Sequence, residues 1–152
     1  MNDPISKLLH GYARAIDEEH YEAWPEFFTA DAYYQITTRE LVKDKMPIGI
    51  LECRNQAMMK DRIFSMLNAN IYAPHHYRHI LSAPQVLEQT DGETRLYSSF
   101  GLIRIMAGGV SEMFLSGYYA DRIDTTGAEY RFRERIVVLD SSRVDTLIVA
   151  PI

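Results

Sequence analysis

From Tyr77 onward the chain changes texture, and that change limits what it can fold into. The runs YRHILSAPQVLE, TRLYSSFGLIRIM, VSEMFLSGYYADRID, EYRFRERIVVLD and DTLIVAPI alternate apolar with polar residues and are rich in β-branched and aromatic side chains. That is the pattern of half-buried strands, whose successive side chains point to opposite faces. Turn signals separate them: Asp91 with Gly92, Gly108 with Gly109, Thr-Thr-Gly at 125–127, and Ser141 with Ser142. Strands joined so tightly pair antiparallel with their neighbours in sequence.

Ahead of them the period is helical. Asn2 or Asp3 can cap a helix with Pro4 at its first position, and Ile5, Leu8, Leu9, Tyr12, Ala13 and Ile16 recur along one face. Asp17, Glu18 and Glu19 follow. Their charge has the wrong sign for a helix C-terminus, so they mark a solvated exit. YEAWPEFF reads as a short helical turn anchored by Trp24, Phe27 and Phe28, DAYYQIT as a strand, and residues 38–44 as a polar loop. RNQAMMKDRIFSMLNAN reads as a second long helix, capped by Asn55, with Met59, Ile63, Met66 and Leu67 turned inward. Met46, Met58, Met59 and Met66 read as core filling. Helices followed by a meander predict an α+β fold, with the N-terminal helices on one face of a curved, mostly antiparallel sheet. No repeat or linker divides the 152 residues, so a single domain over 1–152 is expected.

Charge and cysteine content exclude several functions. The 21 acidic residues outnumber 16 basic ones, for a net charge of −5. A general nucleic-acid binder would instead carry a broad basic surface. Cys53 is the one cysteine, which rules out a disulfide within the chain and a Rieske or all-cysteine iron–sulfur cluster on it. The opening MNDPISKLLHGYARAID is amphipathic rather than a secretory signal, and no run of about 18–20 apolar residues could span a bilayer. The expectation is a soluble, cytoplasmic protein.

Three of the five histidines fall in HHYRHILS, residues 75–82. A non-haem iron site needs two histidines and a carboxylate. On an extended segment, however, His75, Tyr77 and His79 point one way and His76 and Arg78 the other, and no carboxylate occurs between Asp61 and Glu88. A metal site is therefore not expected here. Nor does the chain contain a G-x-S-x-G elbow, a phosphate-binding glycine loop or H-E-x-x-H. An acid–base pocket built from His79, Asp31 and some of the ten tyrosines remains an alternative, as in small lyases and isomerases.

EYRFRERIVVLD carries a second unusual feature. Strict alternation puts Tyr130, Phe132, Glu134, Ile136 and Val138 on one face and Arg131, Arg133 and Arg135 on the other. A turn at 124–128 would set Ala120 opposite Phe132, Tyr118 opposite Glu134, and Asp121 opposite Arg131. The arginine stripe reads either as a solvated face laced by Asp121 or as a docking surface for an acidic partner.

Taken in order, YARAIDEEHYEAWPEFFTADAYYQIT, DRIFSMLNANIYAPHHYRHILS, SGYYADRID and RFRERIVVLDSSRVDTLIVAPI resemble the small (beta) subunit of aromatic ring-hydroxylating dioxygenases, the Rieske non-haem iron enzymes. Within that family the chain is similar to small subunits from enzymes of aromatic carboxylates such as terephthalate. The resemblance runs from Tyr12 to Ile152. It implies a cone-shaped, cystatin-like α+β fold and a structural, non-catalytic role in aromatic catabolism. The Rieske [2Fe-2S] cluster, the mononuclear Fe(II) and the substrate pocket would belong to a large (alpha) subunit. Three large and three small subunits would assemble, with the small chains also meeting as a trimer. Electrons would come from a reductase, with or without a ferredoxin. On that reading the chain holds no catalytic, cofactor or metal residue, and Arg78, His79, Arg131, Arg133 and Arg135 are expected at subunit contacts.

Overall fold

The structure, a computed structural model, describes residues 3–68, 75–142 and 150–152. Helix α1 (Pro4–Asp17) begins where Asp3 accepts a hydrogen bond from the Ser6 amide at 2.9 Å. It buries Leu8, Leu9, Tyr12, Ala13 and Ile16, the face that the helical period predicts. A 3₁₀ helix (Tyr21–Phe27) then seats Trp24, and strand β1 (Phe28–Thr38) follows.

Residues 38–44 are not the loop that their polarity suggests. Thr38 Oγ1 accepts from the Leu41 amide at 3.2 Å and starts a short helix, α2 (Arg39–Lys43). A short strand, β2 (Leu51–Cys53), then pairs with β1. Helix α3 (Gln56–Asn68) is capped as expected, by Asn55 on the Met58 amide. Met59, Ile63 and Met66 are buried, but Leu67 lies on the outer face, 46% exposed. Met46 and Met58 are also exposed, so two of the four methionines of that region fill the core and two do not.

The remaining strands are β3 (His75–Leu81), β4 (Gln85–Thr90), β5 (Glu93–Met106), β6 (Ser111–Asp124) and β7 (Arg131–Leu139). YRHILSAPQVLE thus holds two strands, broken around Pro84, both pairing with β5. Asp91 and Gly92 make the β4–β5 turn, where Gly92 takes a φ of 91° that a Cβ would strain. DTLIVAPI lies mostly outside the described residues, and its described part, residues 150–152, is not in a strand. Among the described residues seven strands form one sheet in the order β2-β1-β7-β6-β5-β3, with β4 beside β3 on β5. It is antiparallel except where β1 and β7 run parallel, which the meander pattern alone does not predict. The helices and inner sheet face enclose one hydrophobic core, centred on Tyr12, Trp24, Phe28, Tyr34 and Phe132.

The β6–β7 register differs from the sequence expectation. Asp121 pairs with Arg135, Tyr118 with Val138, Ala120 with Ile136, and Ile123 with Phe132. The connection is longer than a tight turn, running from Asp124 to Arg131. One step on β6, Arg122 to Ile123, is also matched by two on β7, Glu134 to Phe132. Arg133 is therefore a bulge residue, and it reverses the alternation of everything after it. Phe132 points inward before the bulge, and Arg135, Val137 and Leu139 point inward after it. Glu134 does not share the apolar face, and the arginines do not form one stripe.

Candidate functional site

The histidine segment forms β3, and its burial alternates as an extended strand requires. Tyr77 and His79 are buried, His76 and Arg78 exposed, and His75 packs its ring 4.8 Å from Tyr77. These histidines do not converge. Among the described residues no group of three or more His, Cys, Asp or Glu side chains is placed to hold a metal ion.

What the histidines meet is the acidic end of α1. Asp17 Oδ1 lies 2.6 Å from His79 Nδ1, and its two oxygens lie 3.1 and 3.2 Å from the His79 amide, which donates to them. A carboxylate oxygen accepts, so His79 Nδ1 is the donor in this contact. Both side chains are buried, at 0% and 5% exposure for His79 and Asp17. Glu19, held at a φ of 61°, meets His76 Nδ1 at 2.9 Å, and Arg78 approaches Asp17 at 3.8 Å. The acidic exit is therefore only partly solvated: its first carboxylate caps an amide of the strand at the sheet edge. A groove of about 420 Å³ runs along this seam, lined by His10, Arg14, Asp17, Arg78 and Leu81.

The arginines separate into three environments. Arg131 is exposed. Arg133 is half-buried and reaches Glu93 at 3.1 Å and Asp124 at 3.3 Å. Arg135 is in the core, donating from Nε and an Nη to the two oxygens of Asp121 at 2.9 and 3.1 Å. Its guanidinium lies over the rings of Tyr119, Phe132 and Tyr12 at 3.6, 4.3 and 4.4 Å. Burial pulls Arg135 toward the neutral form, but the Asp121 charge and hydrogen bond, together with the Tyr119 and Tyr12 phenols, outweigh it and the net direction is up. Burial pushes Asp121 up as well, against the pull of Arg135. The bidentate geometry and the permanence of the guanidinium charge decide for an ionised Asp121 at neutral pH.

The tyrosines sit close to these charges without being poised as acids or bases. Burial raises the phenols of Tyr12, Tyr34 and Tyr119 above their ordinary range, and that of Tyr77 to about 12. At neutral pH they stay protonated, and Tyr12 and Tyr34 donate hydrogen bonds. His79 Nε2 and Tyr119 Oη are buried without a hydrogen-bond partner among the described residues. Asp31, the carboxylate considered for acid–base work, is exposed, and Thr29 Oγ1 lies 3.3 Å from it. Cys53 is buried, which raises its thiol, as for a small packing residue.

Sequence reasoning missed the roles of Asp17, Asp121 and the trio Tyr12, Trp24 and Tyr34. The signal for Asp17 was available: a carboxylate of the wrong sign at a helix end needs a partner. The signal for Asp121 was not, because its register depends on an unmarked bulge.

A SnoaL-like domain model matches residues 2–136. The chain is 36% identical over 148 residues to the anthranilate 1,2-dioxygenase small subunit of Burkholderia cepacia, covering 97% of this chain and 92% of that one. It is 38% identical over 148 residues to subunit beta 1 of the terminal oxygenase component of terephthalate 1,2-dioxygenase from Comamonas sp, covering 97% and 96%. Among solved structures, a chain assigned as the beta subunit of an aromatic-ring-hydroxylating dioxygenase from Novosphingobium aromaticivorans superposes with a TM-score of 0.90 at 26% identity, covering 98% and 95%.

Proposed function

Because the chain belongs to the small (beta) subunits of aromatic ring-hydroxylating dioxygenases, we propose that it is the structural, non-catalytic small subunit of such an enzyme, one acting on an aromatic carboxylate such as terephthalate. The observation that carries this reading is similarity over nearly the full length of both chains to small subunits of that kind. The environment of the titratable groups supports it: phenols held protonated and a buried, paired Asp121 hold a fold together.

Redox chemistry then belongs to a large subunit carrying the Rieske [2Fe-2S] cluster and the mononuclear Fe(II). The assembly has three large and three small chains, the small ones also meeting as a trimer, and takes electrons from a reductase, with or without a ferredoxin. The complex is cytoplasmic; no helix among the described residues is long and apolar enough to cross a membrane. Arg78 and Arg131, both exposed, together with the half-buried Arg133, contribute to subunit contacts. His79 and Arg135 are buried within the chain and contribute only by holding strands in place.

A stand-alone lyase or isomerase rests on likeness of fold alone, as with the scytalone dehydratase-like structure from Novosphingobium aromaticivorans at 14% identity. Co-expression with a large oxygenase subunit of the same family, followed by sedimentation and iron analysis, tests the proposal. The expected result is a mixed oligomer with its iron on the large chain. A chain that stays alone, or that turns over substrate without the large subunit, overturns it.

A further inference from the structure

Two surfaces of the described structure gather apolar side chains that the core does not use. The first is the connection from α2 to β2, where Val42, Met46, Ile48 and Ile50 are all exposed, Ile48 at 56%. The connection is nonetheless tightly held. The Ile50 amide donates to the Ile36 carbonyl oxygen at 2.7 Å, and Thr37 Oγ1 donates to the Ile48 carbonyl oxygen at 3.4 Å. A Cβ on Gly49 would come within 2.5 Å of that Ile36 oxygen, so glycine is what lets the chain lie this close to β1. The apolar side chains are thus presented on a fixed backbone, which lowers the cost of ordering them on binding.

The second surface is on the outer face of the sheet. Phe100 and Leu102 are buried on the core side, so Gly101 between them faces out. Ile80 is its partner on β3 and Ser116 its partner on β6. Met113, 62% exposed, lies beside it from β6, and Tyr97 and Tyr118 stack at 4.9 Å on the same face. Having no side chain, Gly101 leaves a shallow recess between Ile80 and Met113. A Cβ there would meet the flexible end of Met113 at 3.4 Å and no backbone.

These surfaces are distinct. Thr37 pairs with Val138, Val138 with Tyr118, and Tyr118 with Ser99, so three strand spacings, roughly 14 Å, separate the anchor of the loop from β5. Charge favours a meeting of like chains here. The net charge of −5 makes two copies repel over most approaches. Around the recess, however, Glu112 is paired with Arg104 and Glu88 with Arg95, and the loop sets Lys43 and Lys45 against Asp44. Neither surface presents an excess of acid. Two different patches that suit each other make a head-to-tail contact, and such contacts close into rings.

We propose that the α2–β2 loop of one copy docks through Ile48 and its apolar neighbours on the Gly101 recess of a second copy, and that three copies close a ring through this contact. The count of three rests on the small-subunit reading. The pairing of loop with recess comes from the surfaces themselves.

The experiment is sedimentation of the full chain, of Ile48→Glu and of Gly101→Glu, beside thiol cross-linking. The parent sediments as a trimer. Each variant sediments as a monomer at the same concentration and melts within a few degrees of the parent, since both substitutions face away from the core. Ile48→Cys and Met113→Cys, made in separate chains and mixed, are joined by a short bis-maleimide into a dimer containing one of each. Either variant alone gives at least tenfold less dimer, and the native Cys53 is buried. The cysteine pair carries the test if a glutamate variant does not fold. A trimer that survives both glutamates, or cross-links as strong within one cysteine variant as between the two, overturns the proposal. The mixture is also run with the large subunit. Chains that bind it but give no mixed cross-link, alone or in that complex, lose this contact and keep the small-subunit role. Chains that cross-link yet ignore the large subunit support the contact and overturn that role alone.

Discussion

Arg135 and Asp121 face each other across the β6–β7 pair, joined by hydrogen bonds of 2.9 and 3.1 Å, and both are only 2% exposed. The pair exists because Arg133 is an extra residue on β7, so the next arginine points into the core. Aromatic rings then cover the guanidinium where water would otherwise solvate it.

Arg135→Ala leaves the Asp121 carboxylate buried and unpaired, which destabilises a protein by about 3–5 kcal/mol. Asp121→Ala should do the same from the other side. The double variant Arg135→Met, Asp121→Leu removes both charges together and should lose much less than the sum of the two single changes. Urea unfolding of the three variants measures this. An Arg135→Ala chain within about 0.5 kcal/mol of the parent would instead be behaving like a solvated surface residue.

Asp17 accepts from both the ring and the amide of His79, tying the end of α1 to the edge strand. Asp17→Ala strips the acceptor from two buried donors, each worth about 1–3 kcal/mol when left unpaired. The chain should lose stability, and the His79 amide should exchange with solvent faster than its β3 neighbours. Unchanged exchange at His79 in the variant would show that the carboxylate is not what protects the strand.

Acid should weaken the Glu93 cluster. Hydrogen bonds from Arg122 and then Arg133 hold the Glu93 carboxyl below its usual pKa. A folded value below the unfolded one stabilises the ionised form. The contribution is complete above the unfolded carboxylate pKa of about 4.3 and is lost as pH falls through the lowered folded value. Glu93→Gln should therefore be less stable than the parent at neutral pH and converge with it near pH ~3. A gap that stays constant across that range would assign the effect to packing.

How much of this could be read from the sequence depends on how local the cause is. The α1 face, its Asp3 cap, the Asp91 turn and the inward and outward alternation of β3 follow from neighbours within a few residues, and they were legible. The parallel pairing of β1 with β7 joins segments far apart in the chain, and no local pattern announces it. The Arg133 bulge is the sharpest case. Three arginines at even spacing suggest a shared face, yet one unpaired residue sends Arg131 to solvent and Arg135 to the core. Two oddities that stood apart in the sequence, the carboxylate run after α1 and the histidines of β3, turn out to be partners.

Arg78 and Arg131 remain where a partner can reach them, while Arg135 and His79 do not. A subunit contact should therefore respond to the first two without passing through the stability of the chain. Arg78→Ala and Arg131→Ala should leave unfolding within about 0.5 kcal/mol of the parent, as surface changes do. If either residue anchors the large subunit, its removal should weaken association by about 2 kcal/mol, roughly 30-fold. Arg135→Ala inverts this pattern, because the chain unfolds more easily and assembly falls only as folded protein is lost. Sedimentation of each variant with the large subunit, run beside urea unfolding of the variant alone, separates the two behaviours. Assembly equal to the parent in both surface variants would make Arg78 and Arg131 ordinary solvated charges and move the contact elsewhere on the sheet. Lower turnover with intact assembly would assign one of them a part in the chemistry.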